Sequence, residues 1–353
     1  MHEERFRFAG RVVSCERCGS GHINGTYLVR TDAPKKYIMQ EINRQVFRDV
    51  PALMRNIALV TRFLAREDKD PRHVLTLVPT NEGEDWFEDE QGRAWRAYEY
   101  VENSVCLDQP RTLQEFAQSG RAFGEFQRKL AGFDAAQLAE TIPHFHDTPA
   151  RCLALHEAAA RDALGRAAGV QREIDFALSH EKEAGAMTGM LARGELPLRV
   201  THNDTKLNNI LLDAQTGEPL CVIDLDTVMA GSVIYDYGDA VRFGASTAAE
   251  DEPDTSKIHL DMDLFRAFTR GFISEVQGSL TESELRMLPL GIKVMTCELA
   301  MRFFTDYIDG DLYFKVRSPE HNLIRAHAQM KLLEDIEDKY DELCAITEEL
   351  IHA

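Results

Sequence analysis

No stretch of this 353-residue sequence approaches the roughly 18 continuous apolar residues that a membrane-crossing helix needs. The first residues, Met1-His2-Glu3-Glu4-Arg5, lack the apolar run of a secretory signal, so a cytoplasmic protein is expected. Positive charge is also short. Forty Lys and Arg stand against 59 Asp and Glu, a formal net charge of −19, which argues against nucleic acid and anionic membrane as partners of the whole chain. Any phosphate must be neutralised locally. Seven cysteines, an odd number spread along a long chain, give no disulfide framework. Cys15 and Cys18 form a Cys-x-x-Cys, but no second Cys or His pair nearby completes the four ligands of a structural zinc site. They read as small residues near the first strands.

What is present is enough apolar residue, 44%, for a substantial core and for one or two domains. From Val12 to about Asn103 the pattern is strand-rich. Gly21 to Val29 reads as a turn running into a strand, and Lys36 to Gln40 as its hairpin partner after the Asp32-Ala33-Pro34 turn. Leu53, Ile57, Val60 and Leu64 repeat at helical spacing behind Pro51. Short strands are then expected at Val74 to Val78, Asp85 to Glu88 and Trp95 to Val101. Beyond Glu102 the pattern turns helical: Leu113 to Leu130, Ala150 to Leu164, Gln171 to Arg193, Asp263 to Glu275, Thr281 to Tyr307 and His321 to Ile351. Asp147 and Thr148 before Pro149 mark a helix start, and only Leu198 to Val200 and Leu220 to Ile223 read as strands among these helices. No repeat or long linker interrupts the chain, which places a hinge near Asn103.

One segment carries chemistry. Thr201-His202-Asn203-Asp204-Thr205-Lys206-Leu207-Asn208-Asn209 is followed by Ile223-Asp224-Leu225-Asp226. His-x-Asp with an Asn five positions after the Asp is the spacing of a kinase catalytic loop, and the apolar strand after it delivers Asp224. Phosphoryl transfer needs a group that orients and deprotonates the acceptor hydroxyl, and oxygen ligands that hold magnesium against phosphates. Asp204 is therefore the candidate base, with Asn209 and Asp224 the candidate metal ligands and Asp226 assisting near metal or substrate. Asp and Asn also fill turns, and any one of these residues alone would be read that way. Five in order, flanked by strands, are not.

This segment resembles the catalytic motif of the aminoglycoside phosphotransferase and choline kinase superfamily, which has no Arg in the loop and uses Asp-x-Asp or Asp-x-Glu in place of Asp-Phe-Gly. Within it, the chain is similar nearly end to end to bacterial N-acetylhexosamine 1-kinases. That similarity is carried by Gly21-His22-Ile23-Asn24, His144 to Thr148, the catalytic loop, Arg242 to Thr247 and Met301-Arg302-Phe303. The resemblance implies an α+β, bilobal protein-kinase-like fold, with a small β-rich nucleotide-binding N-lobe at residues 1–102 and a larger α-helical catalytic and sugar-binding C-lobe at 103–353. It implies that ATP, as co-substrate with Mg2+, donates its γ-phosphate to the anomeric hydroxyl of N-acetylglucosamine or N-acetylgalactosamine. The expected partners are the sugar and ATP, and the expected state is monomeric.

Other parts fit that frame. Trp95 to Val101 lies where a hinge would bind adenine, through Glu99 and Val101, and Gly21 and Asn24 lie where a loop covers phosphates. The loop is not G-x-G-x-x-G. For the sugar, Asp204, Asp226 and Arg302 are candidates, with Phe243 and Tyr313 as walls and His22 closing from the N-lobe. Glu298 and Asp306, four residues either side of Arg302, offer an ion-pair ladder as the plain alternative. His144, His146 and Asp147 resemble a metal cluster by type, but a capped helix start explains them. Asp236 is expected to brace the catalytic loop or cap its helix. One departure stands out: Gln40 occupies the strand position where a phosphate-binding lysine is expected, with Lys35, Lys36 and Arg55 nearby. That gap keeps open a nucleotide-binding protein without turnover, beside a kinase acting on an aminoglycoside or choline.

Overall fold

The computed structural model describes residues 2–19 and 23–353. The chain divides into two compact units. The first comprises Met1–Cys106, Gly132–Pro143 and Asn209–Ala230, and the second Leu107–Ala131, His144–Asn208 and Gly231–Ala353. The architecture is the expected α+β, protein-kinase-like bilobal class.

Along the chain come β1 (Val12–Arg17), β2 (Gly25–Thr31), β3 (Lys36–Ile42), α1 (Val50–Glu67), β4 (Phe87–Glu88), β5 (Ala94–Glu99) and β6 (Ser104–Val105). The first five strands form one antiparallel sheet in the order β1-β2-β3-β5-β4. Period-2 alternation turns Tyr37, Met39, Trp95 and Ala97 into an apolar cluster with Phe6, Val29 and Val78. Helix α1 starts at Asp49, whose carboxylate accepts the Ala52 N–H at 3.0 Å, with Pro51 in its first turn. The strand expected at Val74 to Val78 is only a single bridge, Leu77 to Tyr98. Pro79 follows directly, and a residue without an N–H cannot extend the ladder.

The chain continues with α2 (Leu113–Lys129), α3 (Thr148–Arg161), α4 (Gln171–Ser179), α5 (Glu181–Ala192), β7 (Arg199–Thr201), β8 (Ile210–Asp213), β9 (Pro219–Val222) and β10 (Met229–Gly231). Helices α6 (Val233–Gly244), α7 (Met262–Val276), α8 (Glu282–Arg286), α9 (Leu288–Asp309), α10 (His321–Asp338) and α11 (Tyr340–Ile351) complete it. Three segments that read as single helices are pairs, broken at His180, Met287 and Lys339. The break at Met287 has a cause in Pro289, which suits the first turn of a new helix and not the interior of an old one. Helix α3 does start at Asp147, which accepts the Ala150 N–H at 3.2 Å. Where α6 crosses α9, a Cβ on Gly238 would strike the Gly291 carbonyl, so only paired glycines allow the approach. The core between α3, α4, α9 and α10 gathers Cys152, Leu155, Ile174, Met301, Phe304 and Leu333. Among the described residues, no helix is long and apolar enough to cross a membrane.

Candidate active site

The candidate residues fall into two groups, one in each unit. In the second unit, strand β7 leads into the loop from His202, where Asn203 takes a left-handed φ of 65°. Such a backbone must be held, and Asp236 in the first turn of α6 holds it. Its carboxylate accepts the N–H of His202 and of Asn203, each at 2.8 Å, and the Gln127 side-chain amide at 2.9 Å. The Asp236 carbonyl accepts the Thr205 hydroxyl at 2.6 Å. Burial pushes the Asp236 carboxyl up, against the pull of His202 and these donors. The buried His202 ring lies edge-on to Phe123 and Phe126, and its Nδ1 accepts the Asp204 N–H at 3.3 Å.

Asp204 is thereby displayed on a braced loop with its side chain 32% exposed. Lys206 Nζ stands 2.9 Å from its Oδ1 and lies over the Phe243 ring, 5.8 Å from the centroid. The Asp204 charge raises the Lys206 ammonium above its ordinary range, with Glu250 and Asp239 adding to it against burial. Spacing alone assigns Lys206 no role, although it lies inside the motif. Half-buried Phe243 lies in the last turn of α6 beside Arg242, which is buried and bonded to Asp239, Glu250 and Gln329.

Arg302, on α9, sits among rings: its guanidinium lies 5.1 Å from the centroid of Phe145, 5.6 Å from Phe314 and 5.8 Å from Tyr313. The ion-pair ladder does not form, because both acids are engaged elsewhere. Glu298 is fully buried, bonded to His146 Nδ1 at 2.8 Å and to the Thr148 hydroxyl at 2.7 Å. Asp306 accepts the backbone N–H groups of Leu312, Tyr313 and Phe314 at 2.7–2.9 Å and the Asn322 amide at 2.8 Å. It thus shapes the loop that presents Tyr313, which is 61% exposed. His146 Nε2 reaches the Asn203 carbonyl at 3.4 Å, linking Glu298 to the loop that carries Asp204. His144 pairs with Asp147 at 3.1 Å.

Burial alone would raise the Glu298 carboxyl, but His146, Arg302 and the Thr148 hydroxyl more than reverse this and hold it below the usual range. A depressed carboxylate contributes stability that is fully present above its unfolded value, about 4.3, and is lost as pH falls through the folded value. Glu298→Ala is expected to cost about 3–5 kcal/mol near neutrality. In urea titrations the gap from wild type should narrow below roughly pH 4. A constant gap would show that the charge of Glu298 plays no part.

In the first unit, Asn209 precedes the hairpin of β8 and β9, paired Ile210 to Val222 and Leu211 to Cys221. Past its open end the Ile223 N–H donates to the Asn209 carbonyl at 2.9 Å, setting Asn209 beside the turn that carries Asp224. Asp224 takes a left-handed conformation, φ and ψ both 58°, rare outside glycine, asparagine and aspartate. It is exposed, whereas Asp226 points inward at 3% exposure, ion-paired with Arg96 and accepting the Asn24 amide at 2.6 Å. Asn24 also accepts the Asn43 N–H at 2.9 Å, and buried Asn56 of α1 donates to the Val228 carbonyl at 3.0 Å, just beyond the turn. Glu99 gives its N–H to Thr76 and pairs with Lys35, and the Val101 carbonyl accepts the Ser104 hydroxyl. Gly21 and His22 lie outside the described residues.

Among the described residues, no group of three or more His, Cys, Asp and Glu side chains is placed to hold a metal ion. That covers Cys15 and Cys18, which are free thiols, and the His144, His146, Asp147 set. Asn209 and Asp224 are a different kind of donor set, one amide and one carboxylate. Hard oxygens that leave positions for water and phosphate suit magnesium.

Several solved structures share this fold. A microcompartment-associated aminopropanol kinase is 16% identical, covers 97% of this chain and 96% of its own, and superposes with a TM-score of 0.59. An amicoumacin kinase solved with AMP-PNP, Ca2+ and Ami is 14% identical, with coverage of 96% and 91% and a TM-score of 0.62. An ethanolamine kinase of Plasmodium vivax is 12% identical, with coverage of 90% and 82% and a TM-score of 0.56. The APH family model, described as "Phosphotransferase enzyme family", matches residues 14–267. With most of the sequence inside that match and the kinase-like fold throughout, the chain belongs to the APH phosphotransferase family.

Proposed function

We propose that this phosphotransferase moves the γ-phosphoryl group of ATP to the anomeric hydroxyl of N-acetylglucosamine or N-acetylgalactosamine. The observation that carries a catalytic reading is the brace on the Asp204 loop: three N–H donors converge on Asp236 and leave Asp204 displayed beside Lys206. In this reading Asp204 orients the acceptor hydroxyl and takes its proton, and the Lys206 ammonium offsets charge developing on the transferred group. Asn209 and Asp224 would hold magnesium, which when bound neutralises phosphate charge. Residues 1–102 would bind the nucleotide, with Glu99 and Val101 at the adenine, and residues 103–353 the sugar.

Acceptor choice rests on the resemblance and on the surroundings of Arg302. Flat rings offer faces to a pyranose, and a guanidinium offers donors to hydroxyl and acetyl oxygens. A cationic acceptor such as ethanolamine or aminopropanol suits these surroundings less well. Arg151 shares them, donating to the Phe145 carbonyl at 3.0 Å, and its pKa is lowered by burial and by the Arg302 charge. Two neighbouring guanidiniums repel an ammonium group. Arg302→Met is accordingly expected to raise KM for the sugar by about tenfold or more, with KM for ATP unchanged. Steady-state kinetics varying each substrate in turn would check this.

The test of function is ADP release with magnesium, ATP and, separately, each acetylated hexosamine, ethanolamine, choline and kanamycin. Turnover confined to the acetylated sugars is expected. Turnover confined to an amine-bearing acceptor would replace the sugar reading, and ATP binding with no turnover would mark a nucleotide-binding protein without kinase activity.

A further inference from the structure

The first unit has a missing cation and an unexplained one. Gln40 stands where a phosphate-binding lysine is expected, and the nearby cations do not fill the place. Lys35 pairs with Glu99 at 3.2 Å, Lys36 pairs with Glu102 at 2.7 Å, and Arg55 is exposed on α1. Arg96, by contrast, is an arginine inside a strand with a side chain only 1% exposed. A buried guanidinium is costly unless paired, so its position calls for a reason.

Register supplies one. Gln40 of β3 is the direct cross-strand partner of Arg96 of β5. Because Met39, Trp95 and Ala97 fill the apolar cluster, Gln40, Arg96 and Tyr98 occupy the other face. Arg96 Nε donates to Gln40 Oε1 at 3.0 Å, and Gln40 Nε2 donates to the Thr26 hydroxyl at 3.2 Å, which fixes the amide with its oxygen toward the guanidinium. Arg96 Nη1 is ion-paired with Asp226, and the guanidinium lies 5.3 Å from the Tyr98 ring centroid. A polar row thus runs from Thr26 through Gln40 and Arg96 to the turn that carries Asp224. Burial works against the Arg96 charge, but Asp226, with Asp224 adding, keeps it ionised.

We propose that Arg96 supplies from β5 the positive charge that β3 lacks, acting as a positioning residue that neutralises Asp226 and sets a favourable field beside Asp224 for nucleotide phosphates. This rests on reading the chain as an ATP-dependent kinase. Without Arg96 the unit would present two carboxylates of like sign to a polyanion. A fixed cation in a poorly hydrated site acts on nearby phosphates without touching them. The same register explains Gln40: a lysine there would put two cations directly across a strand pair, which is unfavourable, so one position carries the charge and the other an acceptor.

Binding without acceptor separates this role from scaffolding. The affinities of ATP with magnesium and of adenosine are measured by titration calorimetry for wild type, Arg96→Met and Arg96→Met with Gln40→Lys, folding being checked by thermal melts. Arg96→Met is expected to weaken ATP by about tenfold or more. Adenosine should hold within about twofold, and the double variant should recover most of the ATP affinity. An unchanged ATP affinity in folded Arg96→Met, or equal losses for ATP and adenosine, would overturn the proposal. Should Arg96→Met fail to fold, the double variant and Arg96→Lys decide, since both restore a cation; a folded double variant with adenosine affinity intact and ATP affinity lost would overturn it. Failure of the wild type to bind ATP is a separate result, which defeats the kinase reading itself.

Discussion

Asp204→Asn is expected to lower kcat by about 10²–10⁴-fold while leaving ATP affinity within a few-fold of wild type. The asparagine keeps the shape of the side chain and loses the ability to accept a proton at pH 7. The loop should survive the change, because its backbone is held by Asp236 and the His202 ring. The lost charge opposite Lys206 involves two side chains each about one-third exposed, so its contribution to stability is under about 1 kcal/mol. A thermal melt close to wild type beside a collapse in turnover would separate chemistry from folding. Near-normal kcat would remove Asp204 as the base and send the search to another acceptor near the loop.

Asp236→Ala should damage both fold and activity. It takes the Asp236 acceptor from two buried backbone N–H groups and from the Gln127 amide, which still donates to the Val200 carbonyl, at a cost on the order of 3–5 kcal/mol. The left-handed Asn203 then loses the acceptor of its N–H, and Asp204 is directed less firmly. Asp236→Asn should fall between, since one oxygen still accepts while an NH2 faces an N–H donor. Urea denaturation and kcat measured on the same preparations would test this. A loss under about 1 kcal/mol with normal kcat in Asp236→Ala would show that the brace is dispensable.

How much of this could be read from the sequence depends on the range of each signal. His202, Asp204, Asn209 and Asp224 are a local pattern, in which spacing and residue type travel together. The sheet-then-helix order of the chain is legible for the same reason, as alternation gives way to a 3.6-residue period. Contacts made at long range are not. Gln40 was visible as a gap, but Arg96, 56 residues away, becomes its neighbour only through strand register. Around Arg302, i,i+4 spacing suggested a ladder, whereas Glu298 is taken by His146 from 152 residues away and Asp306 by a loop that folds back on it. The breaks at His180, Met287 and Lys339 also escaped, because apolar periodicity runs through a one-residue interruption. A unit that recruits 132–143 and 209–230 from later in the chain leaves no local mark at all.

The most direct test of the central claim is the identity of the product. Wild-type protein incubated with magnesium, ATP and N-acetylglucosamine or N-acetylgalactosamine is followed by phosphorus NMR, with Asp204→Asn run in parallel. The expected result is a new phosphate signal coupled to the anomeric proton, with loss of the reducing end, and no such signal in the variant. Phosphate on any other hydroxyl, or no sugar phosphate while an amine-bearing acceptor is consumed, would contradict the account.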